Sequence, residues 1–294
     1  MATIIRKTGG KQAQAFLKAG RSTGRLLPAI TRSMMNAPEE HRRSDILHPS
    51  AMAKKDWCPR GGWRQLQGWT VVKENNALRR QNIFDEGHAI HDKWQSRISR
   101  MGNLYGLWQC RVCETTWWAT SPRLCPEPRC CSRLIKYREV PLENKAVRIG
   151  GHSDGWVKGL GDDFMIEIKS VGTGSYRFDA PDMIEKYGED ALDLWKNTRR
   201  PFTAHLKQGQ IYLRLANETM ENAPKSIIFL YESKANQDYK EFDIPYDPDF
   251  VQERWDEAAD IVARIKDGDP APKCVRGPQG CHDCNAYTEP GMAA

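Results

Sequence analysis

Apolar residues recur along this chain in two rhythms. In Phe164–Val171 (FMIEIKSV) the period is two, with Phe164, Ile166 and Ile168 on one face and Met165, Glu167 and Lys169 on the other. That predicts a strand bearing an adjacent acid and amine. The preceding HSDGWVK (152–158) is also strand-like, and Gly159–Asp163 is turn material. A tight turn centred on Leu160–Gly161 sets Asp154 directly opposite Glu167, and opposed residues share a face. Ser226–Tyr231 (SIIFLY) reads as a further buried strand. Elsewhere the period is helical. FTAHLKQGQIYLRLA (202–216) places His205, Gln208 and Tyr212 on one face, and IFDEGHAIHDKWQ (83–95) does the same for His88 and His91. Another helix is predicted near Asp249–Asp267. The acidic FDAPDMIEKYGEDALD, within 172–200, reads either as a helical lid beside a site or as a solvated helix.

Alternating helical and strand patterns predict an α/β protein. The chain has 294 residues with 39% hydrophobic content, enough for a real core. Its apolar runs fall far short of the roughly 18 residues of a membrane span, and its start lacks the charged-then-apolar pattern of a secretion leader. The expectation is a cytoplasmic protein with no membrane partner. Net charge is +6, and residues 1–45 account for it, with nine Lys/Arg against three Asp/Glu. This segment reads as a basic arm, either a solvated tail or a contact for nucleic-acid phosphate. An Arg-rich, acid-poor start also has the look of a transit peptide.

Nine cysteines fall in two groups. In a chain this long without a secretion pattern, metal ligation explains them better than disulfides. Cys110 and Cys113 form a C-x2-C knuckle, and Cys125 and Cys130 follow as C-x4-C, with Cys131 competing as fourth ligand. Four thiolates in two short pairs suit tetrahedral Zn2+ and leave no open position, so this site is expected to be structural, with Cys130 preferred. Its Trp108, Trp117 and Trp118 read as ribbon packing or as surfaces for base stacking. Cys274, Cys281 and Cys284 lie in a Pro/Gly-rich stretch near the end of the chain, and Cys58 is the remaining cysteine that completes a four-thiolate set. That set suits Zn2+ or an iron–sulfur cluster; a zinc site using His282, with Cys58 free, is the other reading.

Asp154, Glu167 and Lys169 converging from neighbouring strands suit divalent-metal phosphodiester hydrolysis. The carboxylates would hold Mg2+ or Mn2+ and the amine would orient a nucleophile. E-x-K alone also describes a surface salt bridge. The ordered set of GHAIH (Gly87, His91), GHSD (Asp154), EIK (Glu167, Lys169) and QGQIY (Gln208, Tyr212) says more. It resembles the RecB-like branch of the PD-(D/E)XK nuclease superfamily, from about residue 50 to 284.

The resemblance implies a restriction-endonuclease-like α/β core, a central mixed sheet flanked by helices. After the arm, the nuclease domain would span 46–294, with a zinc ribbon inserted at 105–137 and a cysteine cluster at 270–288 joining the N- and C-terminal parts. It implies a metal-dependent DNA exonuclease working 5′ to 3′ on single strands or ends. His91, Asp154, Glu167 and the Ile168 carbonyl would hold Mg2+ or Mn2+. Lys169 would position or activate water, and Gln208 and Tyr212 would steady the substrate strand and the lysine. His88 would be a bystander. The CRISPR-associated RecB-like exonucleases and AddB helicase–nucleases carry one cysteine before the core and three after it, binding a 4Fe–4S cluster. Cys58 (WCPR) and Cys274, Cys281 and Cys284 match that layout, while the terminal C-x6-C-x2-C spacing departs from it and keeps Zn2+ as the alternative. The mid-chain ribbon is of the kind phage-encoded relatives carry, which implies a phage or bacterial recombination nuclease. DNA would be its partner, together with a recombinase, helicase or single-strand-binding protein. A DNA endonuclease or nickase, or a non-catalytic DNA-binding subunit, are the other functions these residues admit. Since the chain beyond the arm is charge-neutral, a local basic groove is expected beside the site.

Overall fold

A computed structural model of the protein describes residues 26–35, 43–71 and 78–289. The chain divides into two units, residues 1–42 with 73–85, and residues 43–72 with 86–294. In the first, Leu26–Met35 forms a helix (α1). The rest of the predicted arm up to residue 42 lies outside the described residues.

The second unit opens with two short helices, Pro49–Met52 (α2) and Pro59–Leu66 (α3), and a strand, Thr70–Val71 (β1). From residue 86 onward the helix Leu78–Met101 (α4) belongs to this unit and leads into Leu104–Cys110 (β2), Thr116–Thr120 (β3) and Ile135–Tyr137 (β4). Four more strands follow: Val140–Asn144 (β5), Ile149–Ser153 (β6), Gly155–Val157 (β7) and Phe164–Val171 (β8). Helices Thr173–Asp179 (α5), Pro181–Tyr187 (α6), Ala191–Asn197 (α7) and Thr203–Thr219 (α8) precede strands Ser226–Ser233 (β9) and Tyr239–Pro245 (β10). Gln252–Asp267 (α9), His282–Asn285 (α10) and Tyr287–Thr288 (β11) close the described chain.

The architecture is mixed α/β, around a central sheet of order β10–β9–β8–β7–β2–β3, with β4 pairing the distal part of β2. Among the described strands of this sheet β8 and β9 alone run parallel, and the helices α5–α8 make the crossover that a parallel pair requires. Alternation sorts the sheet's side chains into two layers. Trp156, Met165, Phe229 and Tyr231 pack in a core with Ile211, Tyr212 and Leu213 of α8. Leu104, Trp108, Val157, Ile166 and Ile168 pack on the other face with Ile90 of α4. Gly209 lets α8 lie close on β9, since a Cβ there would meet the Phe229 ring at 2.5 Å. Among the described residues no helix is long and apolar enough to cross a membrane.

The β7–β8 register is the one the predicted turn demands, with Gly155 opposite Ile166 and Val157 opposite Phe164. The turn itself is broader. A loop through Lys158–Asp163 replaces the tight turn, with Gly159 and Gly161 in the left-handed region at φ 81° and 92°. The predicted strand through HSDGWVK is divided at Asp154: β6 pairs with β5 in a separate sheet, whereas β7 pairs with β8 and β2. The acidic segment is three short helices, interrupted before Pro181 and at Gly188, whose φ is 78°. The ribbon strands β2, β3 and β4 are continuous with the central sheet, because β2 pairs directly with β7.

Candidate functional site

Two groups of side chains meet where β7 and β8 adjoin the division at Asp154. In β8, Glu167 and Lys169 share a face by alternation and point toward α8. Lys169 Nζ donates to Glu167 Oε1 at 2.7 Å and to Gln208 Oε1 at 3.1 Å, and Gln208 Nε2 donates to the same Glu167 oxygen at 2.7 Å. The second oxygen, Glu167 Oε2, is buried without a hydrogen-bond partner. An orphaned carboxylate oxygen is costly unless something else, such as a cation, takes it.

The other group comes from three separate elements. Asp154 sits at the bend between β6 and β7; its Oδ2 accepts the Ile168 backbone N–H at 2.6 Å. His91 of α4 places Nδ1 3.2 Å from Asp154 Oδ1. Gln95, one turn further along α4, donates to the Asp154 carbonyl at 2.9 Å and to Glu139 Oε1 at 3.4 Å. Glu139 is the last residue before β5, with φ at 62°, an unusual value for a non-glycine residue. Its backbone is pinned to the ribbon: Leu107 N–H donates to the Glu139 carbonyl at 2.8 Å. Ligand atoms of His91, Glu139 and Asp154 all lie within 4.8 Å of one another.

The electrostatics follow from burial against charge. Burial pushes the Glu167 carboxyl up to about 7, with Lys169 pulling against it and Asp154 adding to it. Burial likewise lifts Glu139 to about 7, reinforced by Asp154 and opposed by the Gln95 hydrogen bond. Asp154 goes the other way: burial would raise it, but His91, Lys169 and the Ile168 N–H together hold it low. Burial disfavours charge on Lys169 and on His91, yet the facing carboxylates outweigh it and raise both. The cluster thus holds protons that a divalent cation would displace. Oxygen donors with one imidazole form a set that suits a hard divalent cation such as Mg2+ or Mn2+.

Of the site residues expected from sequence, His91, Asp154, Glu167, Lys169 and Gln208 are brought together. Ile168 meets Asp154 through its N–H. Tyr212 is buried, and its hydroxyl lies against β6, where a Cβ at Gly151 would stand 3.0 Å from it. His205 shares the helix face but turns elsewhere: Nδ1 lies 2.5 Å from the Tyr231 hydroxyl, and burial with Lys169 nearby holds it well below the usual imidazole range. His88 is exposed. Glu139 and Gln95 were missed. Gln95 lies four residues beyond His91, a helical spacing that offered a weak clue; Glu139, in the unremarkable KYREV, offered none.

Both cysteine groups also assemble. Cys110, Cys113, Cys125 and Cys130 bring their sulfurs within 4.8 Å of one another, with Cys110–Cys130 and Cys113–Cys125 both at 3.6 Å. Cys131 stays outside, exposed, and hydrogen-bonds to its own loop. Cys58, Cys274, Cys281 and Cys284 are all buried and also lie within 4.8 Å of one another. There Cys58 precedes α3, on which α10, bearing Cys284, packs. His282 is exposed and outside the group, so the reading that used it in place of Cys58 is corrected.

No protein-family model matches the chain, and no curated protein matches it. Among solved structures, the chain is similar to LHK-Exo in complex with dAMP, with a TM-score of 0.44 and 15% identity over 77% of this chain and 90% of that one. It is similar to an alkaline exonuclease (LHK-Exo) from Laribacter hongkongensis, with a TM-score of 0.40 and 14% identity over 77% and 90% of the two chains. It is also similar to SSO0001, with a TM-score of 0.32 and 13% identity over 84% and 86%. These are distant likenesses of chain path, and the chemistry of the site rests on its own geometry.

Proposed function

We propose that this protein is a divalent-metal-dependent DNA nuclease, an exonuclease acting on single strands or DNA ends. One observation carries the reading: Asp154 meets His91 and Glu139 on one side and, on the other, faces a Lys169-bonded Glu167 whose free oxygen is buried and unpartnered. His91, Glu139 and Asp154 would hold Mg2+ or Mn2+, with Glu167 Oε2 and the Ile168 carbonyl beside them. When bound, such a cation supplies positive charge to the scissile phosphate and acidifies water. The chain's own contribution is positioning. Glu167 and Gln208 fix the Lys169 ammonium, which presents a constant charge to the phosphate or the attacking water. Gln95 orients two of the acids. Tyr212 supports the hairpin that ends at Asp154 and, through its hydrogen bond with Gln208, steadies the lysine.

The test is degradation of linear and of covalently closed circular DNA by the purified chain, with Mg2+ or Mn2+ and then with EDTA. Linear DNA should be consumed, the circle spared, and EDTA should stop the reaction. A cut circle would make the protein an endonuclease or nickase; no cleavage with either cation would overturn the reading. The 5′-to-3′ polarity, a phage or bacterial recombination setting in the cytoplasm, and work alongside a recombinase, helicase or single-strand-binding protein enter this proposal through the RecB-like resemblance. End-labelled substrates test the polarity.

At each cysteine centre we propose one structural zinc ion. Around an ion with Zn–S of about 2.3 Å, tetrahedral geometry sets sulfurs about 3.8 Å apart. Sulfur contacts of 3.6 Å in the ribbon and 3.7 Å for Cys58–Cys274 and Cys281–Cys284 support that spacing. A 4Fe–4S cluster, with ligands on four separate irons, needs a wider set. Two equivalents of zinc are expected; iron with acid-labile sulfide would restore the cluster at the outer site.

A further inference from the structure

Neither the carboxylates nor the cysteines account for the outer face of the ribbon. Along β2, alternation turns Leu104, Trp108 and Cys110 inward and leaves Tyr105, Leu107 and Gln109 on the other face. Tyr105 stands opposite Trp156, and Trp156 opposite Met165, which shares its face of β8 with Glu167 and Lys169. The ribbon's outer side therefore belongs to the same layer of the sheet as the candidate site, with Trp156 and Met165 buried between them. On β3, Trp118 is opposite Leu107 and belongs to this face too. Its ring stacks on Tyr105, with centroids 5.7 Å apart and planes 28° apart, yet Trp118 remains 40% exposed. Trp117 points the other way and packs against the core that holds Trp108.

Charge points to the occupant. The Lys158 ammonium stands 4.2 Å from the Tyr105 ring centroid, and 3.5 Å from Asp163. Between residues 104 and 138, Arg111, Arg123, Arg129, Arg133, Lys136 and Arg138 are all exposed, against only Glu114 and Glu127. Residues 46–294 are neutral as a whole, so the excess of six cations over two acids in this segment is a local concentration of positive charge. Aromatic rings with a lysine beside them, on a segment rich in exposed arginine, form the kind of surface that takes an unpaired strand. The rings stack on bases of any sequence while the cations follow the backbone.

We propose that Trp118, stacked on Tyr105, is a base-stacking step on a single-stranded DNA track along the outer side of the ribbon. The inference deepens the nuclease reading and rests on it for the kind of nucleic acid. The test is binding of a fluorescein-labelled oligothymidylate of about 20 nucleotides to the full, zinc-loaded chain, by anisotropy and without added Mg2+ or Mn2+, so that cleavage plays no part. Loss of one stacked base means that Trp118→Ala should weaken binding about five- to 150-fold. Trp118→Phe, which keeps a ring, should recover most of that loss, and affinity for a blunt duplex should not move. Equal affinity of Trp118→Ala and wild type overturns the track, whether or not the chain cleaves DNA. An equal loss on blunt duplex overturns its assignment to an unpaired strand. Trp118-dependent binding by a chain that cleaves nothing would uphold the track and sink the nuclease reading instead.

Discussion

The two halves of the carboxylate site are built in different ways. Glu167, Lys169 and Gln208 lie on one strand and one helix, closed into a hydrogen-bonded ring with Lys169 held on two sides. His91, Glu139 and Asp154 come from a helix, a ribbon exit and a bend, and are held by longer contacts through Gln95. The first half is rigid because its spacing is that of the strand and helix themselves. The second is assembled, and two of its three groups, His91 and Glu139, are raised and hold protons beside an Asp154 held low. A rigid half suits the fixed charge of a positioning lysine. An assembled half, rich in displaceable protons, suits an exchangeable cation.

The largest effect should come from breaking the rigid half. Lys169→Met removes the fixed charge and should lower cleavage by at least about a thousandfold, with a melting temperature near that of wild type. The buried Glu167, already raised, can take up a proton instead of standing as an unpaired charge. Substantial activity in this variant would show that the ring is scaffolding only.

In the assembled half, Glu139→Gln should weaken Mn2+ binding by about 10- to 100-fold in calorimetric titration. Unchanged affinity would remove Glu139 from the cation site.

The pH dependence separates the halves further. Glu139 and Glu167, both raised to about 7, and His91, also raised, hold protons that a cation must displace. Mn2+ affinity should therefore rise between pH 6 and 8, by about tenfold per unit for each proton released. Stability of the chelated protein carries the matching sign. A carboxyl whose folded pKa is raised contributes stability below its ordinary value and loses it as pH rises through about 7. Glu139→Gln should accordingly raise the melting temperature of the chelated protein at pH 8 by a few degrees and change it little at pH 5. A pH-independent difference would contradict the burial of Glu139 beside Asp154.

The smallest effect belongs to Gln208→Ala. Lys169 keeps Glu167 as partner, so turnover should fall only about tenfold, with Mn2+ affinity unaltered. Loss of cation binding in this variant would mean that the halves are not separable.

Much of this was legible along the chain, and what was legible was local. Period two in FMIEIKSV set Glu167 and Lys169 on one face, because successive strand residues point to opposite sides. Helical spacing put Gln208 on the turn that reaches them. The grouping of the nine cysteines followed from their spacing and number, and Cys130 rather than Cys131 joins the ribbon group. Even the β7–β8 register that brings Asp154 beside Glu167 was implied by the midpoint of a turn, although the turn widened to a loop and Asp154 itself lies just outside the pairing.

The tertiary structure decided the rest. The strand expected through Asp154 divides there because its two parts pair with different partners, and pairing between distant strands leaves no mark on either. Glu139 joins the site because β2 holds its backbone in a left-handed conformation at the ribbon exit. His205 and Gln208 have the same helical credentials; only the packing of Tyr231 against one and Lys169 against the other gives them separate roles. Periodicity determines which way a side chain points from its own element. What stands opposite it depends on contacts between residues far apart in the chain, and those form only when the core closes.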